Sequence, residues 1–108
     1  MPISITKDNF DKEIRLYDKP VVIDVFATWC GPCQQMKPIF TDLEKEFEGR
    51  CKFAMLNVDE VRDLSIMFGV TSVPTFVFYY NGEMHSKDTG YMNKEAFKNR
   101  IEDFIASV

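Results

Sequence analysis

The chain has 108 residues, of which 45% are hydrophobic and 28% are charged, a composition typical of a folded globular protein and not of a disordered one. This length suffices for one domain, residues 1–108, with a core that needs no covalent cross-links. The net charge of −4 and the lack of a basic cluster argue against a nucleic-acid surface, so the expected partners are proteins.

The N-terminal third predicts two strands separated by a helix. Ile3 to Ile5 predicts a short strand, and Thr6 predicts the cap of a first helix that reaches about Tyr17. Lys19-Pro20 ends that segment. Val21 to Ala27 is a nearly unbroken apolar and β-branched run, which is typical of a strand covered by helices on both faces.

The middle of the chain predicts a long helix, a strand and a short helix. Apolar residues at helical spacing predict a helix from Cys33 to Glu48, with Pro38 inside it and Gly49 closing it. Lys52 to Val58 predicts a strand. Asp59 predicts the cap of a short helix that runs through Phe68 and stops at Gly69.

The C-terminal third predicts a hairpin and a last helix. Thr75 to Tyr80 and Glu83 to about Lys87 flank Asn81-Gly82, the strongest short-range hairpin signal. Asn93 predicts the helix cap, and the helix has an apolar stripe formed by Phe97, Ile101, Phe104, Ile105 and Val108. The order β-α-β-α-β-α-β-β-α predicts an α/β fold in which a central five-stranded mixed sheet is flanked on both faces by four helices.

The run Trp29-Cys30-Gly31-Pro32-Cys33 lies where a buried strand gives way to a helix. Unpaired N–H groups and the helix dipole favour a thiolate at that point, which predicts Cys30 as an accessible nucleophile. Pro32 has no N–H, so the nearest backbone donor for Cys30 should be Cys33, and Gly31 lets the turn close. Cys33, inside the first helical turn, is then the shielded resolving thiol of a disulfide exchange.

Two structural interpretations of the cysteine pair compete with the redox one. A tetrahedral zinc site needs a second pair of ligands, and Cys51 and His85 do not form a ligand-spaced doublet, so no metal is expected. A purely structural disulfide would close a tiny loop and restrain little chain entropy. We expect Cys51, at the start of a strand, to be weakly functional, and the alternative is a dimerising or regulatory thiol. We expect His85 to be a surface residue.

Asp24 interrupts the apolar run of the second strand. Burying a polar group without a partner costs about 2–7 kcal/mol, so a carboxyl here suggests a use. Burial raises a carboxyl pKa, which would let Asp24 exchange a proton with Cys33 through a water as a general acid and base. The alternative is an Asp turned to the surface at a strand edge.

Together these residues resemble the thioredoxin family over essentially the whole chain. The resemblance is carried by Trp29 to Cys33, Asp24, Pro38, Leu56-Asn57-Val58-Asp59, Val73-Pro74-Thr75, Asn81-Gly82 and Gly90. It implies the thioredoxin fold and a protein-disulfide reductase that holds no bound cofactor, and a lowered pKa of the first Cys is a known property of this family. It also implies partners: an NADPH- and flavin-dependent thioredoxin reductase, and targets such as peroxiredoxins, methionine sulfoxide reductases or ribonucleotide reductase.

The resemblance further implies a target-binding surface made of Trp29, Gly31, Pro32, Val58, Ser72, Val73, Pro74, Thr89, Gly90 and Tyr91. A cis Pro74 would hold the exposed backbone of Val73, which would pair with a target segment as an added strand. Spacing alone does not predict the cis bond, because only about 5–6% of X–Pro bonds are cis. A monomer is expected.

No stretch approaches the roughly 18 apolar residues of a membrane span, and Met1 to Phe10 lack the apolar run of an export signal. Three cysteines at low density favour reactive thiols in a reducing compartment. These features predict a cytoplasmic protein with no membrane partner.

Three positions depart from the best-known bacterial pattern of the family. Phe26 stands where tryptophan is usual, Gln34 where lysine usually follows the second Cys, and Met55 where lysine often lies near the buried Asp. Without that ammonium, Asp24 should be harder to ionise. The alternatives to a reductase are an oxidase or isomerase, and a binding module that docks partners without electron transfer.

Overall fold

The computed structural model describes residues 1–108 and contains five strands and four helices in the predicted order. The strands are β1 (Ile3–Ser4), β2 (Val21–Phe26), β3 (Lys52–Asn57), β4 (Thr75–Tyr80) and β5 (Glu83–Thr89). A short π-type helix (Asp11–Arg15) precedes three α-helices, α1 (Gly31–Glu46), α2 (Arg62–Met67) and α3 (Lys94–Ser107). None of these helices has both the length and the apolar character needed to cross a membrane.

The strands form one mixed sheet in the order β1-β3-β2-β4-β5. β3 runs parallel to both β1 and β2, whereas β4 is antiparallel to β2 and to β5. The β4–β5 hairpin turns at Asn81 and Gly82, whose φ angles of 55° and 83° are the positive pair that a two-residue turn requires. The predicted mixed sheet and hairpin are therefore confirmed.

The sheet separates two apolar cores. On one face, α1 and α3 pack Phe40 and Phe97 against Phe53 and Phe76 of the sheet. On the other face, the π-type helix and the segment after α2 supply Ile14 and Phe68. Helices thus cover both faces, which explains why β2 is apolar on both sides.

The stripe predicted on the last helix is correct except at its end. Asn93 caps α3 by accepting the Ala96 N–H at 2.8 Å, as predicted. Phe97, Ile101 and Phe104 are buried, and Ile105 packs against them. Val108 lies beyond the last helical residue and is 41% exposed, so its assignment to the stripe is wrong.

The first helix is shorter and wider than predicted. Thr6 and Asn9 do exchange capping bonds, since each side-chain oxygen accepts the other's backbone N–H, at 2.8 and 3.1 Å. The regular helical segment begins only at Asp11, however, and its last turn closes from the Leu16 N–H to the Asp11 carbonyl, five residues back. This wide turn ends the helix before Tyr17.

The bounds of α1 and α2 correct two predictions. Cys30 is the N-cap of α1, so the helix starts at Gly31 rather than at Cys33, because a proline fits the first turn without a missing hydrogen bond. Asp59 does not cap α2, because its carboxylate accepts a hydrogen bond from the Trp29 indole. Val61 occupies the cap position and makes no side-chain hydrogen bond there. Three elements end earlier than predicted: α1 at Glu46, β2 at Phe26 and β3 at Asn57. The strand β5 extends further than predicted, to Thr89.

A tight cap fixes the end of α2. The N–H groups of Gly69 and Val70 donate to the carbonyls of Ile66 and Ser65, and Gly69 has a φ of 70°, which is the Schellman arrangement. Lys87 of β5 adds two hydrogen bonds from its Nζ, to the carbonyls of Phe68 at 3.1 Å and Gly69 at 2.7 Å. α2 is therefore tied to β5 through the backbone of its last turn.

Candidate redox site

Cys30 and Cys33 form a disulfide at the N-terminus of α1, with their Cα atoms 5.2 Å apart. The strand β2 ends at Phe26, and a short turn carries the chain to Cys30, whose extended backbone makes it the helix cap. The Cys33 N–H donates to the Cys30 Sγ at 3.2 Å, the contact that the missing N–H of Pro32 predicts. The first sulfur therefore receives one of the helix N–H groups that have no partner within the helix.

The two sulfurs differ less in exposure than expected. Cys33 is 3% exposed and shielded as predicted, whereas Cys30 retains only 6% exposure. Phe26, Val58 and Val73 pack around the pair, and the Val73 carbonyl lies 3.7 Å from the Cys30 Sγ. Cys30 is therefore largely covered, with the Val73 backbone as a close neighbour of its sulfur.

Trp29 forms the exposed rim of the site. Its side chain is 71% exposed, and its indole Nε1 donates to Asp59 Oδ2 at 3.1 Å. Asn57 Oδ1 accepts the Asp59 N–H at 2.9 Å, which orients the loop after β3 toward the indole. The sequence predicts Asp59 only as a helix cap and does not predict this contact with Trp29, although Asp59 belongs to the run that carries the family resemblance.

Asp24 is fully buried in the central strand, which confirms the buried interpretation and excludes the surface one. Neither carboxyl oxygen has a hydrogen-bond partner. Burial raises the pKa of Asp24 to about 7, because the carboxylate is not solvated there. Its register neighbours are Met55 in β3 and Phe76 in β4, and neither is a cation.

Six of the expected target-binding residues lie in two connected segments, 72–74 and 89–91. The Val73-Pro74 bond is cis, as the resemblance implies, and the Val73 N–H makes no hydrogen bond within the chain. The Gly90 N–H donates to the Pro74 carbonyl at 2.9 Å, which joins the second segment, Thr89 to Tyr91, to the first. Tyr91 is exposed at the end of this second segment.

A groove of about 550 Å³ runs from Trp29 and Val73 along one side of α2. It brings together four of the predicted surface residues, Trp29, Val58, Ser72 and Val73. It also contains Arg62 and Ile66, which the sequence analysis did not select, because α2 is too short to show a distinctive periodicity. Thr89, Gly90 and Tyr91 do not line this groove.

The remaining candidate residues lie apart from the disulfide. Cys51 is a buried free thiol in the core beneath α1 and α3, and burial raises its pKa to about 12. This favours the weakly functional interpretation over a reactive one. His85 is exposed on β5, as predicted. No group of three or more His, Cys, Asp or Glu side chains is arranged to hold a metal ion.

A cysteine pair that closes a disulfide at a helix N-terminus, at the end of the central strand of a mixed sheet, defines a dithiol-disulfide oxidoreductase. The family model for thioredoxin matches residues 1–103. The chain is 36% identical to a thioredoxin of Borreliella burgdorferi, over 97% of this chain and 98% of that protein. It is 33% identical to a thioredoxin of Rickettsia felis, over 97% of this chain and all of that protein.

A chloroplastic M-type thioredoxin of Pisum sativum is also 33% identical, over 94% of this chain and 59% of its own length. The chain belongs to the thioredoxin family, and its fold is the thioredoxin fold. Its redox-active pair is Cys30 and Cys33.

Proposed function

We propose that this protein reduces the disulfides of other proteins, acting as one domain over residues 1–108. In its reduced form, the Cys30 thiolate attacks a target disulfide and forms a mixed disulfide, and one target sulfur leaves as a thiol. Cys33 then loses its proton and displaces the second target sulfur from Cys30. The target gains two electrons, and the protein is left with the Cys30–Cys33 disulfide. The hydrogen bond from the Cys33 N–H to the Cys30 Sγ is the observation that carries this assignment.

Asp24 serves in this proposal as the proton acceptor and donor for Cys33. A general base works best when its pKa lies near the working pH, and the pKa of Asp24 is raised to about 7. The carboxyl has no hydrogen-bond partner within the chain, so it is free to exchange a proton through a water molecule. Gly31 and Pro32 contribute by shaping the turn that presents Cys30 to the target.

The target docks in this proposal on the surface around Trp29, Val58, the Ser72–Pro74 segment and the Thr89–Tyr91 segment. The Val73 N–H is free and the Val73 carbonyl lies 3.7 Å from the Cys30 Sγ, which supports backbone pairing with an extended target segment. Backbone pairing tolerates many side-chain sequences, so one surface can serve many targets.

The family supplies the expected partners. The oxidised protein would be re-reduced by an NADPH-dependent thioredoxin reductase. Disulfide-bearing targets would include peroxiredoxins, methionine sulfoxide reductases and ribonucleotide reductase. The protein would act as a monomer in the cytoplasm, without a bound cofactor.

The test is insulin-disulfide reduction driven by NADPH and a thioredoxin reductase. We expect turnover by the wild-type protein and its loss in Cys30→Ser. Cys51→Ser is the matched control, because it also replaces a sulfur with an oxygen but lies in the core away from the disulfide, and it should retain the activity. Turnover by Cys30→Ser, or none by the wild type, would contradict the proposed function.

A further inference from the structure

The groove along α2 lies directly beside the redox pair and has features that favour one kind of target. We propose that it selects disulfide-bearing protein segments that carry an acidic side chain, and that Arg62 pairs with that side chain. This inference rests on the proposed function, because the segment reaches the groove only while its disulfide meets Cys30.

The size and apolar walls of the groove fit a segment of polypeptide. Its volume of about 550 Å³ falls within the ~300–1,000 Å³ typical of ligand-binding clefts. Trp29 and Ile66 stand on its rim, with 71% and 61% exposure, over the half-buried Val58, Val70 and Val73. Clusters of large, exposed apolar side chains mark interaction sites. The middle of the groove therefore suits an apolar residue of the target.

Two charged side chains line the groove, Asp59 and Arg62, and they differ in whether they already have a hydrogen-bond partner. Asp59 is engaged by the Trp29 indole at 3.1 Å. Arg62 is exposed and forms no ion pair or side-chain hydrogen bond within the chain, so its five donors are free. A planar guanidinium binds a carboxylate through two parallel hydrogen bonds, so the group that complements Arg62 is an aspartate or glutamate side chain.

The fold holds Arg62 against the groove. Arg62 and Ile66 are four residues apart on α2, which places them on the same face of the helix, and both line the groove with Ser65 between them. The buried Ser65 hydroxyl donates to the Arg62 carbonyl at 2.7 Å, and Lys87 ties down the other end of the helix. The position of Arg62 is therefore built into the site before a target binds.

The experiment measures how fast the reduced protein reacts with peptides that differ in one charge. Each peptide carries one cysteine joined to 2-nitro-5-thiobenzoate as a mixed disulfide, with apolar neighbours and a Glu or a Gln placed in turn on either side of the cysteine. Each reaction oxidises one Cys30–Cys33 pair and releases one peptide thiol and one thionitrobenzoate, whose absorbance reports the rate. At one or more positions we expect Glu peptides to react about two- to fivefold faster than their Gln counterparts, the range of an exposed ion pair.

Three variants test whether Arg62 causes the faster reaction of the Glu peptides. Arg62→Gln should abolish the preference, Arg62→Glu should reverse it, and Lys7→Gln should keep it, because Lys7 is an exposed cation that does not line the groove. The preference should also shrink at high ionic strength.

The possible failures are distinguishable. Equal rates for Glu and Gln peptides at every position, or a preference that survives Arg62→Gln, would overturn the inference while the reductase function stands. A rate constant that falls as protein concentration rises would show that a second copy fills the groove, and this would also overturn it. Absence of thionitrobenzoate release, or release by Cys30→Ser, would overturn the proposed function itself.

Discussion

The carboxyl of Asp24 is buried without a hydrogen-bond partner, and this burial has a thermodynamic cost that depends on pH. In the unfolded chain the group ionises near its ordinary pKa of 3.8, whereas in the fold it keeps its proton up to about 7. The folded state therefore binds the extra proton between these values, so its stability falls as pH rises through this window and levels off above about 7.

We predict that Asp24→Asn removes this fall. Each pH unit within the window costs about 1.4 kcal/mol, which gives about 4 kcal/mol in total. Urea unfolding of the disulfide form, from about pH 4 to about pH 8, measures the free energy of unfolding without titration of Cys30 or Cys33. The variant should gain stability relative to wild type as pH rises. Two parallel curves would contradict the raised pKa.

Met55 is the register neighbour of Asp24 in β3. We predict that Met55→Lys lowers the pKa of Asp24 by about one unit or more, because an ammonium beside a carboxylate stabilises its charged form. The pH dependence of target reduction should shift to lower pH accordingly. Met55→Leu, which adds no charge, should leave the profile in place. Identical profiles for wild type and Met55→Lys would rule out this coupling.

The end of α2 depends on a glycine and a lysine from different parts of the chain. A Cβ on Gly69 would lie 2.7 Å from Lys87 Nζ, and the φ of 70° is unfavourable for any residue with a side chain. Gly49 also has a positive φ, of 83°, but a Cβ there would meet nothing within 4 Å. The two glycines therefore separate backbone strain from the contact with Lys87.

We predict that Gly69→Ala lowers the free energy of unfolding more than Gly49→Ala does. Both lose about 1–2 kcal/mol to left-handed strain, and Gly69→Ala loses about 1 kcal/mol more because Lys87 must leave its carbonyl partners. Urea unfolding measures each loss alone and in a Lys87→Met background. In that background Gly69→Ala should cost about as much as Gly49→Ala. Costs for Gly69→Ala and Lys87→Met that simply add would contradict the coupling.

Elements whose local signals agree with their tertiary surroundings are predictable from the sequence. The bounds of β4, the hairpin at Asn81-Gly82 and the Asn93 cap are of this kind. Asp59 illustrates the opposite case: it has a strong local preference for a helix cap, but a tertiary bond to Trp29 takes its carboxylate. The wide turn after Asp11 likewise has no signature in the apolar spacing.

The same distinction applies to the redox site. The cysteine pair and the burial of Asp24 follow from a motif and from the flanking apolar residues. The low exposure of Cys30 does not, because Val73 is distant in the sequence and reaches the sulfur only through the fold. The α2 side of the groove is missing from the sequence analysis for the same reason, since Arg62 and Ile66 meet Trp29 only in three dimensions.

The redox pair is attached to the most protected part of the sheet. β2 is paired along both sides, with β3 and with β4, and each face of the sheet is covered by its own core. Central strands of this kind open only with global unfolding. The turn that follows β2 therefore presents Cys30 from a rigid base, while the groove beside it is open to solvent.

The third sulfur of the chain, in Cys51, is enclosed in the core beneath α1 and α3. An enclosed thiol with a high pKa does not exchange with external disulfides. Each molecule is therefore a carrier of a single electron pair, and its oxidised form has no exposed thiol with which to form covalent adducts. We therefore expect a population of these molecules to turn over without forming cross-links through Cys51.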